Sequence, residues 1–309
     1  MSQNLPPSNP GGYAAALIAK SSPRFFAIML VCVATILFSV MDAIAKYLAE
    51  IAEIPVSQVI WTRLIVHVGF TFLILGPTSL PRLVNSQKPG IQILRSLCLL
   101  GATAFNFIAL KYLQLDQTVT IFFLSPLIVA VLAGPILGEW IGWWRLLAIC
   151  FGFCGIILIM RPGFGGVHWA VFYALGAAIS FSFYNILTRY LSNYDSSEVT
   201  QFFSPLVGAA IFAPFAFLDW QAPSSVLQWA LLLSMGFIGG FGHWLLIIAH
   251  RYAPAPILGP FIYTGLLSMV IIGYFVFNDI PTVWTLAGAS IVIIAGLYLL
   301  YRETSFRDE

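Results

Sequence analysis

Five charged or imidazole side chains interrupt stretches that are otherwise apolar. They are Asp42 and Lys46 within FSVMDAIAKYLAE (38–50), Arg63 and His67 within 55–76, and His243 within 227–250. In hydrocarbon an Asp, Lys or Arg near a helix centre costs roughly 2.5–3.5 kcal/mol on insertion scales, so each is a functional-site candidate. Asp42 and Lys46 stand four residues apart, one helical turn, close enough to neutralise each other as a structural ion pair. Alternatively, Arg63 from the next apolar stretch is a second cationic partner for Asp42, leaving positive charge over for an anionic or carbonyl-bearing substrate; Asp42 as a proton relay is a further reading. His67 and His243 suit proton transfer or substrate contact, and equally a hydrogen-bonded place in a packed core. Asn106, in GATAFNFIAL, poses the same choice, and Gln201 and Ser204 are weaker candidates.

Hydrolytic and metal chemistry lack their usual spacings. There is no HExxH, and no paired carboxylates stand within the apolar segments. Cys32, Cys98, Cys150 and Cys154 all lie in apolar segments, and Cys150 and Cys154 have three residues between them, not the two of a redox or zinc motif. The expectation is four reduced thiols, no metal, no cofactor and no enzyme activity.

The elements that hold these side chains follow from composition. Of 309 residues, 60% are hydrophobic and 8% charged, against about 45–50% and about 25% in soluble domains. Net charge is only +2, which gives nucleic acid no basic field to bind. Apolar runs of the roughly 20 residues that a bilayer core requires fall at 25–48, 55–76, 91–112, 117–138, 141–161, 168–191, 198–218, 227–250, 253–277 and 281–301. That reads as an all-α membrane protein of ten transmembrane helices, with loops too short for a soluble domain. Residues 1–24 read as a disordered cytoplasmic leader rather than a cleaved signal, and 302–309 as a cytoplasmic tail. With the N-terminus inside, ten Lys and Arg residues lie at cytoplasmic span ends, Arg95 among them, against three outside (Lys46, Lys111 and Arg161). This bias places both termini in the cytoplasm.

The chain also repeats itself. FSVMDAIAKYLAE and FSFYNILTRYLSN align at an offset of 143, and beyond the first loop an offset of 140 pairs Ala109 with Ala249, Tyr112 with Tyr252, Lys111 with Arg251, Leu127 with Leu267, Glu139 with Asp279 and Trp144 with Trp284. The two halves, 25–163 and 168–301, meet near RPGFGGVH. Five helices per half is an odd number, so the halves must be inverted repeats, a construction that places a substrate site at their interface near mid-membrane. Asp42 and Lys46 become Asn185 and Arg189 in the second half. Pro126 and Pro260 fall in corresponding helices and are expected to bend them, with Tyr263 and Thr264 beside the bend as cavity candidates. Phe105, Phe122, Phe123, Phe181, Phe183 and Tyr184 fall at cavity depth, while Trp140, Trp143, Trp144 and Trp220 read as interface belts. Gly134 with Gly138, and Gly236 with Gly240, have the spacing that lets helices approach closely.

DAIAKYL (42–48), LRSLCLLGATAFNFIALKYLQL (94–115) and SPLIVAVLAGPILGEWIGWWRLLAICFGFCGIILIMRPG (125–163) resemble the drug/metabolite transporter superfamily, in particular ten-helix carriers of the EamA type, from Phe25 to Tyr301. The resemblance implies a central cavity, alternating access and a small-molecule substrate in the cell inner membrane. Within the superfamily, the Asp42, Lys46, Arg63 and GATAFNFIAL pattern is most similar to the riboflavin and S-adenosylmethionine uptake branch, and riboflavin uptake is the specific expectation. Export of amino acids or related metabolites is the main alternative. The substrate-binding candidates are then Asp42, Lys46, Arg63, His67, Asn106, Asn185, His243 and Tyr263.

Overall fold

A computed structural model describes residues 23–76, 79–113, 115–122, 124–140, 142–160, 169–278 and 283–305. Most of the leader, the junction between the halves, Phe123, Asp279 and the end of the tail lie outside the described residues. Every regular element among those described is helical. In chain order they are α1 (Pro23–Lys46), which runs on through a π-helical turn at Tyr47–Ile51, then α2 (Val56–Leu75), α3 (Leu80–Leu83), α4 (Pro89–Tyr112), α5 (Leu115–Phe122), α6 (Ser125–Leu137) and α7 (Trp143–Met160). The rest are α8 (Val171–Leu191), α9 (Ser197–Leu218), α10 (Val226–Tyr252), α11 (Ala255–Leu258), α12 (Thr264–Phe277) and α13 (Val283–Ser305), with a 3₁₀ stretch Gly259–Tyr263 joining α11 to α12.

Seven stretches of the described residues are long and apolar enough to cross a membrane: Pro23–Ile51, Val56–Leu75, Pro89–Tyr112, Val171–Leu191, Ser197–Leu218, Val226–Tyr252 and Ala255–Phe277. Ser125–Leu137 and Leu146–Gly155 are shorter apolar helices. The chain is therefore an all-helical membrane protein.

Packing runs between the two halves of the chain. Helix α4 packs on α8 and α10 on α1; α9 packs on α4 and α10 on α2; α6 packs on α8 and α12 on α1. The remaining major contacts join α2 to α9 and α7 to α13. Each contact either has a partner made by the corresponding helices of the other half or joins corresponding helices directly.

Two helices are interrupted where proline stands. Between α5 and α6 the chain breaks just before Ser125-Pro126, and Pro126 then occupies the first turn of α6, where a missing N–H costs nothing. Pro260 sits in the 3₁₀ stretch between α11 and α12. The two breaks touch: a Cβ placed on Gly259 would lie 3.6 Å from Pro126 Cα.

Close approach of α2 to α10 depends on glycine. A Cβ at Gly236 would sit 2.4 Å from Val66 Cβ, and one at Gly240 2.6 Å from the Phe70 ring. The same spacing at Gly134 and Gly138 does something else. Gly134 receives the ring of Trp140 from its own loop, and Gly138 ends α6 at φ 72°, the left-handed cap that favours glycine. Helix-on-helix packing thus accounts for the second pair and not for the first.

Candidate functional site

Arg63 stands two turns into α2 and is 2% exposed. The glycines of α10 bring it there; a Cβ on Gly239 would lie 3.2 Å from its Nε. It donates from Nε to the Met41 sulfur (3.1 Å), from Nη1 to Thr103 Oγ1 of α4, and from Nη2 to His243 Nε2 of α10 (3.0 Å). The Phe107 ring lies 5.8 Å from its guanidinium carbon. Asp42, half-buried on α1, accepts from Asn106 Nδ2 of α4 at 3.0 Å.

These side chains surround a cavity of about 50 Å³, walled by Asp42, Arg63, Thr103, Asn106 and His243 and by the rings of Phe38, Phe107, Phe122 and Phe181. That is room for a few waters. Four of the sequence candidates, Asp42, Arg63, Asn106 and His243, are gathered here from four helices, two of which are contributed by α1 and α10 on opposite sides of the sequence.

Behind the cavity lies a hydrogen-bond chain. A guanidinium has no acceptor, so His243 Nε2 must accept from Arg63, and the ring carries its proton on Nδ1. That Nδ1 meets Tyr184 OH at 3.0 Å, and Arg95 Nη2 donates to the same hydroxyl at 2.7 Å. Arg95 gives its other donors to Thr188 Oγ1 (2.7 Å), Ser204 Oγ (2.8 Å) and Thr200 O (3.1 Å), and its guanidinium lies over the Tyr184 ring at 4.3 Å. Arg95 is 0% exposed. Expected at a cytoplasmic span end, Arg95 is in the structure a buried cation with neutral partners, because Thr188, Tyr184 and Ser204 of α8 and α9 converge on that turn of α4.

His67 stacks on His243, with centroids 5.8 Å apart and planes 6° apart. Gln201 donates to His67 Nε2 at 2.7 Å and to Gly240 O at 2.9 Å. His67 therefore backs the site and does not line its cavity.

The remaining candidates lie elsewhere. Lys46 does not pair with Asp42: its ammonium meets Glu50 at 2.5 Å and Leu113 O at 3.3 Å. Both acids are one turn away, but Glu50 sits near the helix end with a half-exposed side chain, where pairing strips less water from the charges. Asn185 Oδ1 faces His250 Nε2 at 3.0 Å, and both border a separate void of about 10 Å³ against α6 and α11. Tyr263 is buried against Gly152 of α7, and Thr264 meets Thr35 of α1 at 2.7 Å. Of the aromatic candidates, Phe122 and Phe181 reach the cavity, Tyr184 joins the chain behind it, and Phe105 and Phe183 are about 37–38% exposed on the outer surface.

Thr103 and Arg95 are site residues that the sequence does not single out, and Tyr184 stands out there only as an aromatic at cavity depth. Thr103 lies three residues before Asn106, one turn along the same face, and that spacing was the available signal. Tyr184 and Arg95 acquire meaning only from contacts made across about ninety residues of chain.

Beyond the Lys46 end, a broad vestibule of about 540 Å³ is bordered by Glu50, Glu53, Lys111, Asp219 and Gln221.

The chain matches the sequence model of the EamA-like transporter family twice, over residues 25–161 and 168–302. It is 31% identical over 221 residues to the S-adenosylmethionine uptake transporter of Rickettsia prowazekii, covering 71% of this chain and 74% of that one. It is 24% identical over 268 residues to the riboflavin transporter of Vibrio cholerae, covering 86% and 90%. A solved crystal structure superposes with a TM-score of 0.67 at 17% identity, over 92% of this chain and 97% of its own, which is a likeness of fold.

Proposed function

The chain belongs to the EamA-like transporter family, and from that premise we propose that it is an inner-membrane uptake carrier for a small metabolite, working by alternating access. The observation that carries the reading is the cavity itself: a carboxylate, a guanidinium, an amide and an imidazole, ringed by phenylalanines, drawn from helices of both halves. At about 50 Å³ it is too small for a metabolite, so the helices around it must part to load it.

In this reading the protein has ten spans and both termini in the cytoplasm. Its halves are inverted repeats that rock about the crossing of the two broken helices, where Gly259 lies against Pro126. The paired contacts between the halves support that arrangement. Asp42, Arg63, Asn106 and His243 hold the substrate, and His67 supports them. Lys46, Asn185 and Tyr263 act at the ends and hinges of the path.

S-adenosylmethionine is the first substrate to test, since its sulfonium and purine suit a cavity walled by aromatic rings and the relative from Rickettsia prowazekii is named for its uptake. Riboflavin is the second reading, favoured by the four phenylalanine faces that could stack on a flat ring system. The purified protein in proteoliposomes, preloaded with unlabelled compound, should accumulate labelled S-adenosylmethionine by counterflow. Riboflavin counterflow without S-adenosylmethionine counterflow would select the second reading; label driven out and not taken up in cells would make the protein an exporter.

A further inference from the structure

Resting on the carrier reading, we propose that the cavity recognises the zwitterionic α-amino-acid end of its substrate, with the substrate carboxylate on Arg63 and its ammonium on Asp42. The donors and acceptors left over on the cavity wall point to it. A guanidinium has five N–H groups, and three of those on Arg63 are engaged, by Thr103, His243 and Met41. None of these partners is an anion, and a thioether is among the weakest acceptors a protein offers. Among the described residues two N–H groups remain without a partner, one on each terminal nitrogen, enough to meet both oxygens of a carboxylate. On Asp42, Oδ1 accepts from Asn106 and Oδ2 has no hydrogen-bond partner among the described residues. Asp42 and Arg63 border the same cavity, yet no ion pair joins them.

A cation and an anion facing one small space without touching are matched by a ligand that carries both charges close together. The zwitterionic end adds no net charge of its own to the buried site, since each of its two charges meets an opposite one there. A simple anion would satisfy Arg63 and repel Asp42, and a simple cation would do the reverse. Arg95 does not compete for the carboxylate, because its donors are directed to Thr188, Thr200, Tyr184 and Ser204 and it does not border the cavity. The rest of the substrate would lie among Phe38, Phe122 and Phe181, whose faces suit a sulfonium, a thioether or a flat base.

The test is a competition series on the unaltered protein in proteoliposomes, reading counterflow of labelled S-adenosylmethionine and, in parallel, of labelled methionine and riboflavin. S-adenosylhomocysteine keeps the amino-acid end, decarboxylated S-adenosylmethionine lacks the carboxylate, and 5′-methylthioadenosine lacks both groups. The expected result is that the last two compete at least about tenfold more weakly than S-adenosylhomocysteine. In Arg63→Lys, which keeps the charge and loses the fork, the advantage of the carboxylate should shrink severalfold. Competition by 5′-methylthioadenosine within about threefold of S-adenosylhomocysteine, or counterflow of riboflavin alone, overturns the headgroup assignment and leaves the carrier reading standing. Absence of counterflow for every labelled compound overturns both.

Discussion

Around Ser39 and around Ser182 the protein does the same thing twice. Ser39 Oγ donates to Thr35 O one turn back (3.0 Å) and reaches Gly265 O at the start of α12 (3.2 Å). Ser182 Oγ donates to Ala178 O one turn back (2.7 Å) and reaches Ser125 O at the start of α6 (3.2 Å). In both places the hydroxyl meets a backbone carbonyl in the first turn of the helix that follows the proline break of the other half. Three residues further on the likeness ends. Asp42 and Asn106 open onto the aromatic cavity, whereas Asn185 and His250 close on each other beside a void of about 10 Å³. One more turn along, Lys46 holds its own neighbour Glu50 and a carbonyl, with the Phe277 ring 5.9 Å from its ammonium. Arg189 instead ties Glu139 to the His250 carbonyl, and the second oxygen of Glu139 caps α11 at Ala255 N. The scaffold is thus duplicated, while charge and closure are divided: one end sets a carboxylate on a cavity and borders a vestibule, and the other replaces that carboxylate with an amide and is cross-linked by an ion pair.

Breaking the charged side should have the largest effect. Arg63→Ala removes a buried cation from Thr103, His243 and the cavity at once; truncating one member of a buried charged constellation costs about 2–5 kcal/mol. Counterflow should fall at least about thirtyfold at unchanged membrane abundance, and near-normal transport would dissolve the contrast between the two ends. Asp42→Asn is the sharper version, since it writes the chemistry of position 185 into position 42. It should cut uptake about tenfold, and the reciprocal Asn185→Asp should not create a second transport site; it should lower the amount of folded protein, because the new carboxylate faces His250 in a void without room for water molecules to solvate it.

How much of this contrast could be read from sequence depends on the range of the contacts. The repeat, the substitution of Asn185 for Asp42 and the prolines at the breaks are local facts, and Ser39 and Ser182 stand at matching places in the repeated motif. Arg63 and His243 stood out because an ionisable side chain in an apolar run is costly wherever it lies. Their grouping with Asp42 and Asn106 required the fold. Lys46 shows the limit of spacing arguments: acids stand four residues before it and four after it, and only depth along α1 decides between them. Arg95 fails for the same reason in reverse. Six residues into α4, it reads as a span end until Thr188, Tyr184 and Ser204 arrive from other helices.

Closure gives an intermediate effect. Glu139→Gln should lower the melting temperature of the purified protein by more than Glu50→Gln does. Glu139 serves Arg189 and Ala255 from a mostly buried position, whereas the side chain of Glu50 is half-exposed and its pair with Lys46 is worth under about 1 kcal/mol. Equal losses would mean that the two ends are closed equally well.

The smallest effect belongs to the feature the two halves share. Ser39→Ala and Ser182→Ala each delete one hydroxyl that bridges a helix to the broken helix opposite. Hydrogen bonds between helices in membranes average about 0.6 kcal/mol in double-mutant cycles, so each variant alone should alter melting by little and by a similar amount. Transport is the more telling readout. If the hydroxyls steady the breaks about which the halves rock, the two single variants should shift the balance between cavity accessibility from the two sides in opposite directions, because each loosens the break of the other half. The double variant should then fall back toward the unaltered balance while being less stable than either. Cysteine-accessibility labelling at the Lys46 end and at the Arg189 end would measure this directly, and a shift in the same direction for both would show that the serines merely hold the helices together.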